Sequence, residues 1–190
     1  PSINPLKLKC LLKDLQSIGI EVLKVPSIQE ISSNKENLDK LKPISVEDLL
    51  GRDSVPNLSK NEDYKLKGST VVVTGGGGSI GGELCKQIVE CEPNKLLIIE
   101  NNEYALYSIH YELSKKLNQI TKIIPILGSV NDKPFLKRIF TDNTVDVIFH
   151  ASAYKHVPLV ESNPLSGIAN NVFSTKYLCE ICLEKNVEKF

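Results

Sequence analysis

Between residues 74 and 81 the chain reads TGGGGSIG, and a glutamate, Glu100, closes an apolar run 19 positions after Gly81. Gly75, Gly78 and Gly81 fit G-x-x-G-x-x-G, and Gly76, Gly78 and Gly81 fit G-x-G-x-x-G. Bare amides at the start of a helix, with the positive end of its dipole behind them, hold a phosphate that side chains would otherwise keep away. A carboxylate at the end of the following strand takes both hydrogen bonds from an adenosine ribose and repels a 2′-phosphate. These residues together predict a dinucleotide site. No arginine adjoins Glu100, which favours NAD, with NADP as the alternative. A Walker-type phosphate loop is excluded, because no Gly-Lys-Ser/Thr follows the glycines.

A second stretch, HASAYKHVPLVESNP at 150–164, follows another apolar run. Ala151, Ser152 and Ala153 are small enough to let the backbone pass close to a flat ligand at the carboxyl end of a strand. Lys155 and His156 stand beside that face as candidates for contact. His150 ends the apolar run and is expected in the core, and Glu161 at a solvated helix start. Cys179 and Cys182 form a C-x-x-C, but no second pair and no suitably placed histidine completes a metal site. Two thiols on the buried side of a helix are expected there.

The elements that position these residues alternate. TVVVTG is a continuous apolar run, as in a strand buried on both faces. A helix is predicted at 79–90, a strand at 95–100, a helix from 103, a strand at 122–127, a short helix at 133–140, a strand at 145–151 and a long helix at 163–185. Four strand–helix repeats with short connections imply right-handed crossovers and a parallel sheet. The expected fold class is α/β, a Rossmann-type doubly wound sheet occupying residues 67–190 with strand order 3-2-1-4. The fourth strand is expected as an unpaired apolar edge, which invites self-association. Residues 1–30, with leucines near one helical face at 5–18 and a strand-like IEVLKVPS, read as the tail of another α/β domain. Residues 31–66 read as a linker carrying an amphipathic docking segment at 44–52.

Composition narrows the class further. The formal net charge is zero, so no global field recruits nucleic acid. No apolar run reaches the about 20 residues that span a bilayer. Five cysteines, an odd number, point to a reducing compartment and away from a disulfide scaffold. With no methionine and Pro1 at the start, the chain is expected to be an internal piece of a longer protein.

TGGGGSIG, HASAYKHVP and NNVFST together resemble the extended short-chain dehydrogenase/reductase superfamily. AYKHVPLVESNP, preceded by VEDLLGR, is similar to the CapD-type polysaccharide biosynthesis proteins, membrane-anchored nucleotide-sugar 4,6-dehydratases, over about residues 44–190. The resemblance implies cofactor contacts at Thr74, Gly75, Gly78, Ser79, Ile80 and Gly81. It implies further contacts at Glu100, where the family usually carries Asp, and at Asn101. Ser129 replaces an Asp of the family's GDVxD pattern, and Val130 packs on the adenine. Ala151, Ser152, Ala153 and Lys155 match the run beneath the nicotinamide half, and Asn171 the asparagine of NNVxxT.

The implied chemistry takes a hydride from C4 of a UDP-N-acetylhexosamine, eliminates water across C5 and C6, and returns the hydride to C6. The product is a 4-keto-6-deoxy sugar. The family's proton-moving residues are expected beyond Phe190, so no catalytic residue is assigned within this chain and no turnover is expected from it alone. The parent is expected to be a homo-oligomer at the cytoplasmic face of a bacterial inner membrane. A 4-epimerase or 4-ketoreductase, and a non-catalytic NAD-binding regulatory module, remain open alternatives.

Overall fold

A computed structural model of the chain describes residues 65–116 and 120–190, together with positions 11, 14, 15, 22–24, 42–44 and 58. The chain divides into two compact units, Pro1–Val55 and Pro56–Phe190. In the first, β1 (Leu23–Lys24) pairs antiparallel with β2 (Lys42–Pro43), Leu23 opposite Pro43. Leu11, Asp14 and Leu15 are helical. The docking segment expected at 44–52 lies, past Ile44, outside the described residues.

The second unit is built on a parallel sheet of β3 (Thr70–Thr74), β4 (Lys95–Glu100), β5 (Lys122–Leu127) and β6 (Val147–His150). Its order is β5-β4-β3-β6, the order 3-2-1-4 that alternation predicts. β3 is buried at every position, as its run of β-branched residues requires in a central strand. Register sets Val72 beside Leu97 and Ile148, and Thr74 beside Ile99 and His150.

Alternate residues of the strands serve two cores. Val72, Leu97, Ile99 and Ile148 pack with α3 (Lys133–Asp142) and α6 (Ser174–Lys185) through Leu136, Ile139, Leu178 and Ile181. Val71, Val73, Leu96, Ile98 and Val147 pack with α1 (Ser79–Glu90) and α2 (Glu103–Lys116) through Cys85, Ile88, Leu106, Ile109 and Leu113. This two-sided burial makes the sheet doubly wound. Leu58 and Leu66 join the α1–α2 side, and the Leu58 amide donates to Gln87 Oε1 at 3.2 Å.

Pro125 lies in β5, at the edge of the sheet. Lys122 N donates to Asn94 O and Gly128 N to Glu100 O, both at 3.0 Å, so the even-numbered amides of this strand face β4. The odd positions face outward, and the proline's missing N–H interrupts no bond of the ladder.

One expectation is refined and one changes. A separate short helix, α4 (Val157–Ser162), precedes the long helix expected at 163–185, which runs over 164–185 as α5 (Pro164–Ile168), a π-helical segment at Ala169–Phe173, and α6. Pro158 and Pro164 each begin a helix, and Asn163 between them has φ −134°, outside the helical region. The edge at β6 is not bare either. Ile148 N donates to Lys189 O at 2.9 Å, and Val147 and Lys189 form a parallel bridge.

Candidate functional site

The turn from β3 into α1 shows why its glycines are there, and the reason differs at each. Gly75 has φ +68°, and a Cβ on it would lie 2.9 Å from the main chain of Ala151 and Ser152. A Cβ on Gly76 would lie 2.3 Å from Ile98 Cγ2, and one on Gly77 2.5 Å from Ala105 Cβ. On Gly81 it would lie 2.1 Å from Gly75 O. These four are bare because the protein packs against them. Gly78 differs: it has ordinary extended dihedrals, φ −77° and ψ 168°, and a Cβ would meet only Gly75 O at 3.3 Å.

Gly78 is also the N-cap of α1, which has no side-chain cap. Asp132 caps α3 by accepting from Phe135 N at 2.9 Å, and Asn102 Oδ1 accepts from Ala105 N at 2.9 Å in the first turn of α2. The first amides of α1 therefore lack the service that the neighbouring helices receive.

Three cavities touch Gly78; one, about 350 Å³, opens between α1 and α2 past Gly77, Glu83 and Tyr104, and the other two meet across the strand ends. The smaller, about 170 Å³, runs across the carboxyl ends of the strands, past Gly75, Glu100, Asn101, Ser129, Val130 and Ser152. The larger, about 600 Å³, is walled by Ser79, Ile80, Gly81, Lys155, His156 and Leu159. Gly78, Ala151, Ala153 and Tyr154 line both. Ile80 stands 71% exposed on the wall of the larger cavity. Val130 is shared between the smaller cavity and the α3–α6 core. Lys155 and His156 are exposed on the larger cavity, and Glu161 lines neither.

Two of the sequence-predicted residues line neither cavity. Thr74 is fully buried, and its hydroxyl lies 2.7 Å from His150 Nδ1. Thr175 Oγ1 donates to Asn171 O at 3.0 Å, so it accepts from His150 Nε2–H, also at 3.0 Å. Nδ1 is then the acceptor for Thr74, and this hydrogen bonding fixes the tautomer. Burial lowers the His150 pKa below its ordinary value, and its ring stacks on Phe190 at 6.1 Å. His150 is half-buried and hydrogen-bonded through both ring nitrogens, as the packed, hydrogen-bonded residue the sequence predicts.

Asn171 is a bridge. Its Oδ1 accepts from Tyr154 N at 2.8 Å, and its Nδ2 donates to Tyr154 O at 2.9 Å. Those two bonds fix the amide's orientation, so the neighbouring Asn170 must present Nδ2 to Asn171 Oδ1, 3.0 Å away. Asn170 is 5% exposed and lines the smaller cavity. Sequence reasoning missed Asn170 and Tyr154. The doubled asparagine in NNVFST was the available signal, but only the π-helical segment brings both side chains to the site.

Glu100 lines the smaller cavity with its carboxylate already engaged by the main chain. Its Oε2 accepts from Gly77 N at 3.0 Å, and its Oε1 from Asn101 N at 2.9 Å and Asn102 N at 3.0 Å. Ser129 Oγ accepts from Asn131 N at 3.2 Å. Cys179 and Cys182 are free thiols, and burial pushes Cys182 up to about 11. Among the described residues no cluster of three or more His, Cys, Asp or Glu could hold a metal, and no helix is long and apolar enough to cross a membrane.

Comparison with known proteins bears on this arrangement. The capsular polysaccharide biosynthesis protein CapD of Staphylococcus aureus is 36% identical over all of this chain, which spans 32% of that relative. An inverting UDP-N-acetylglucosamine 4,6-dehydratase of Campylobacter jejuni is 33% identical over 125 residues, 65% of this chain and 35% of the relative. The UDP-glucose 4-epimerase of Bifidobacterium longum, solved in complex with NAD+ and UDP, superposes with a TM-score of 0.53 at 25% identity, over 63% of this chain and 35% of its own. The chain thus spans about a third of the length of these relatives. The family model described as polysaccharide biosynthesis protein matches residues 71–190, and the chain belongs to that family.

Proposed function

We propose that residues 67–190 form the NAD-binding part of a UDP-N-acetylglucosamine 4,6-dehydratase that makes a 4-keto-6-deoxy sugar for a surface polysaccharide. The supporting observation is the meeting of two cavities at Gly78, beside helix amides that no side chain caps. A dinucleotide has that shape: two nucleoside halves joined by a pyrophosphate. The adenosine half occupies the smaller cavity, near Glu100, Ser129 and Val130. The pyrophosphate lies on Gly78 and the first amides of α1. The nicotinamide half and the sugar share the larger cavity with Ile80, Ala153 and Lys155. Bound NAD supplies the hydride acceptor and donor. The chain's own residues hold the nucleotide, shape the apolar wall and fix the loop after β6 through Asn171.

On this proposal the proton-moving groups lie outside these 190 residues. The same reading makes the full-length protein a homo-oligomer at the cytoplasmic face of a bacterial membrane, and this chain alone does not turn over. The test is product analysis by NMR after the full-length protein is incubated with UDP-N-acetylglucosamine and NAD. A 4-keto-6-deoxy product is expected. UDP-N-acetylgalactosamine would identify a 4-epimerase instead. Nucleotide binding with unchanged sugar would identify a non-catalytic module.

A further inference from the structure

Glu100 ends β4 with its carboxylate folded back onto the main chain. An ionised carboxylate offers about four acceptor sites, two on each oxygen. Gly77, Asn101 and Asn102 amides occupy three of them, leaving one on Oε2. The Gly77 bond ties the glycine turn to a residue 23 positions later, and bonds to a charged acceptor are stronger than neutral ones. Gly77 is shaped for this neighbour, because a Cβ there would lie 3.1 Å from Glu100 Cγ as well as 2.5 Å from Ala105 Cβ. An aspartate, shorter by one carbon–carbon bond of about 1.5 Å, is expected to keep the local bonds to Asn101 and Asn102 and lose the one to Gly77.

We propose that Glu100 is a positioning residue that locks the glycine turn through Gly77 and, so engaged, recognises one hydroxyl of an adenosine ribose instead of the pair. The hydroxyl count rests on the dinucleotide proposal; the lock does not. Two measurements on the protein separate them. The first is amide hydrogen exchange without nucleotide, comparing wild type with Glu100→Asp and Glu100→Gln. The Gly77 amide should exchange about tenfold faster in Glu100→Asp, with Asn101 and Asn102 still protected. Glu100→Gln keeps the length but turns a donor toward Gly77 or releases the other two amides, so protection falls at one of those places. Unchanged exchange at all three amides in both variants would overturn the lock.

The second is calorimetric affinity of wild type for NAD and for NAD built on 2′-deoxyadenosine or 3′-deoxyadenosine. One analogue should bind about tenfold more weakly and the other within about twofold of NAD. Equal tenfold losses, or no loss for either, would overturn the single-hydroxyl contact. Failure of wild type to bind any of the three would refute the dinucleotide proposal, while the exchange result would still decide the lock.

Discussion

The turn after β3, which carries Gly78, and the segment after β6, which carries Ala151, line the same two cavities, yet they are built by opposite means. The first is shaped by removing side chains. Four of its glycines lie where a single added carbon would press on a neighbour between 2.1 and 2.9 Å away. The second is shaped by side chains that stand in for a ladder, as Asn171 closes two bonds on the main chain of Tyr154. Steric exclusion tolerates almost no substitution, because close-packed interiors relax little. A hydrogen-bonded bridge is graded, since water partly replaces a lost partner.

That contrast can be broken at its strongest point first. Gly81→Ala places a carbon against the Gly75 carbonyl, and a loss of about 3 kcal/mol, at the upper end for overpacking, is expected from denaturant unfolding. Gly78→Val sharpens the comparison by separating folding from binding. Its stability should fall by less than about 1 kcal/mol, since its dihedrals suit any residue, while NAD affinity should drop about a hundredfold. Equal damage to both would mean that Gly78 is bare for packing after all. Asn171→Ala should cost about 2 kcal/mol for two bonds, with faster amide exchange at Tyr154.

The smallest effect concerns His150, which joins the two regions through Thr74 and Thr175. Burial holds its folded pKa below the unfolded value of about 6.5. The unfolded chain therefore takes up a proton first on acidification, and stability declines as pH falls from about 6.5 towards the folded pKa. His150→Gln should flatten that part of the stability–pH curve.

The two regions also differ in how far the sequence discloses them. Glycine spacing, β-branched runs and Glu100 at a strand end are local patterns, and they locate the turn, the strands and the order of the sheet. They do not say where a side chain points. Thr74 belongs to the right strand, but register sets it beside His150 and turns its hydroxyl inward. Glu100 is at the right place, but its reach to Gly77 depends on a distance across the turn. The bridge from Asn171 to Tyr154 spans 17 residues and depends on a wide helical turn that periodicity reads as ordinary helix.

Pro125 gives the sheet a direction for growth. A stranger's strand approaching β5 from outside would find donors at Ile123 and Leu127 but a gap at Pro125 between them, the middle of the three odd-numbered positions in 122–127. Recruitment on that flank is blunted by one ring, a gatekeeper placed where it costs the native ladder nothing. The opposite flank, beside β6, carries no such proline, and there Lys189 already makes a parallel bridge to Val147.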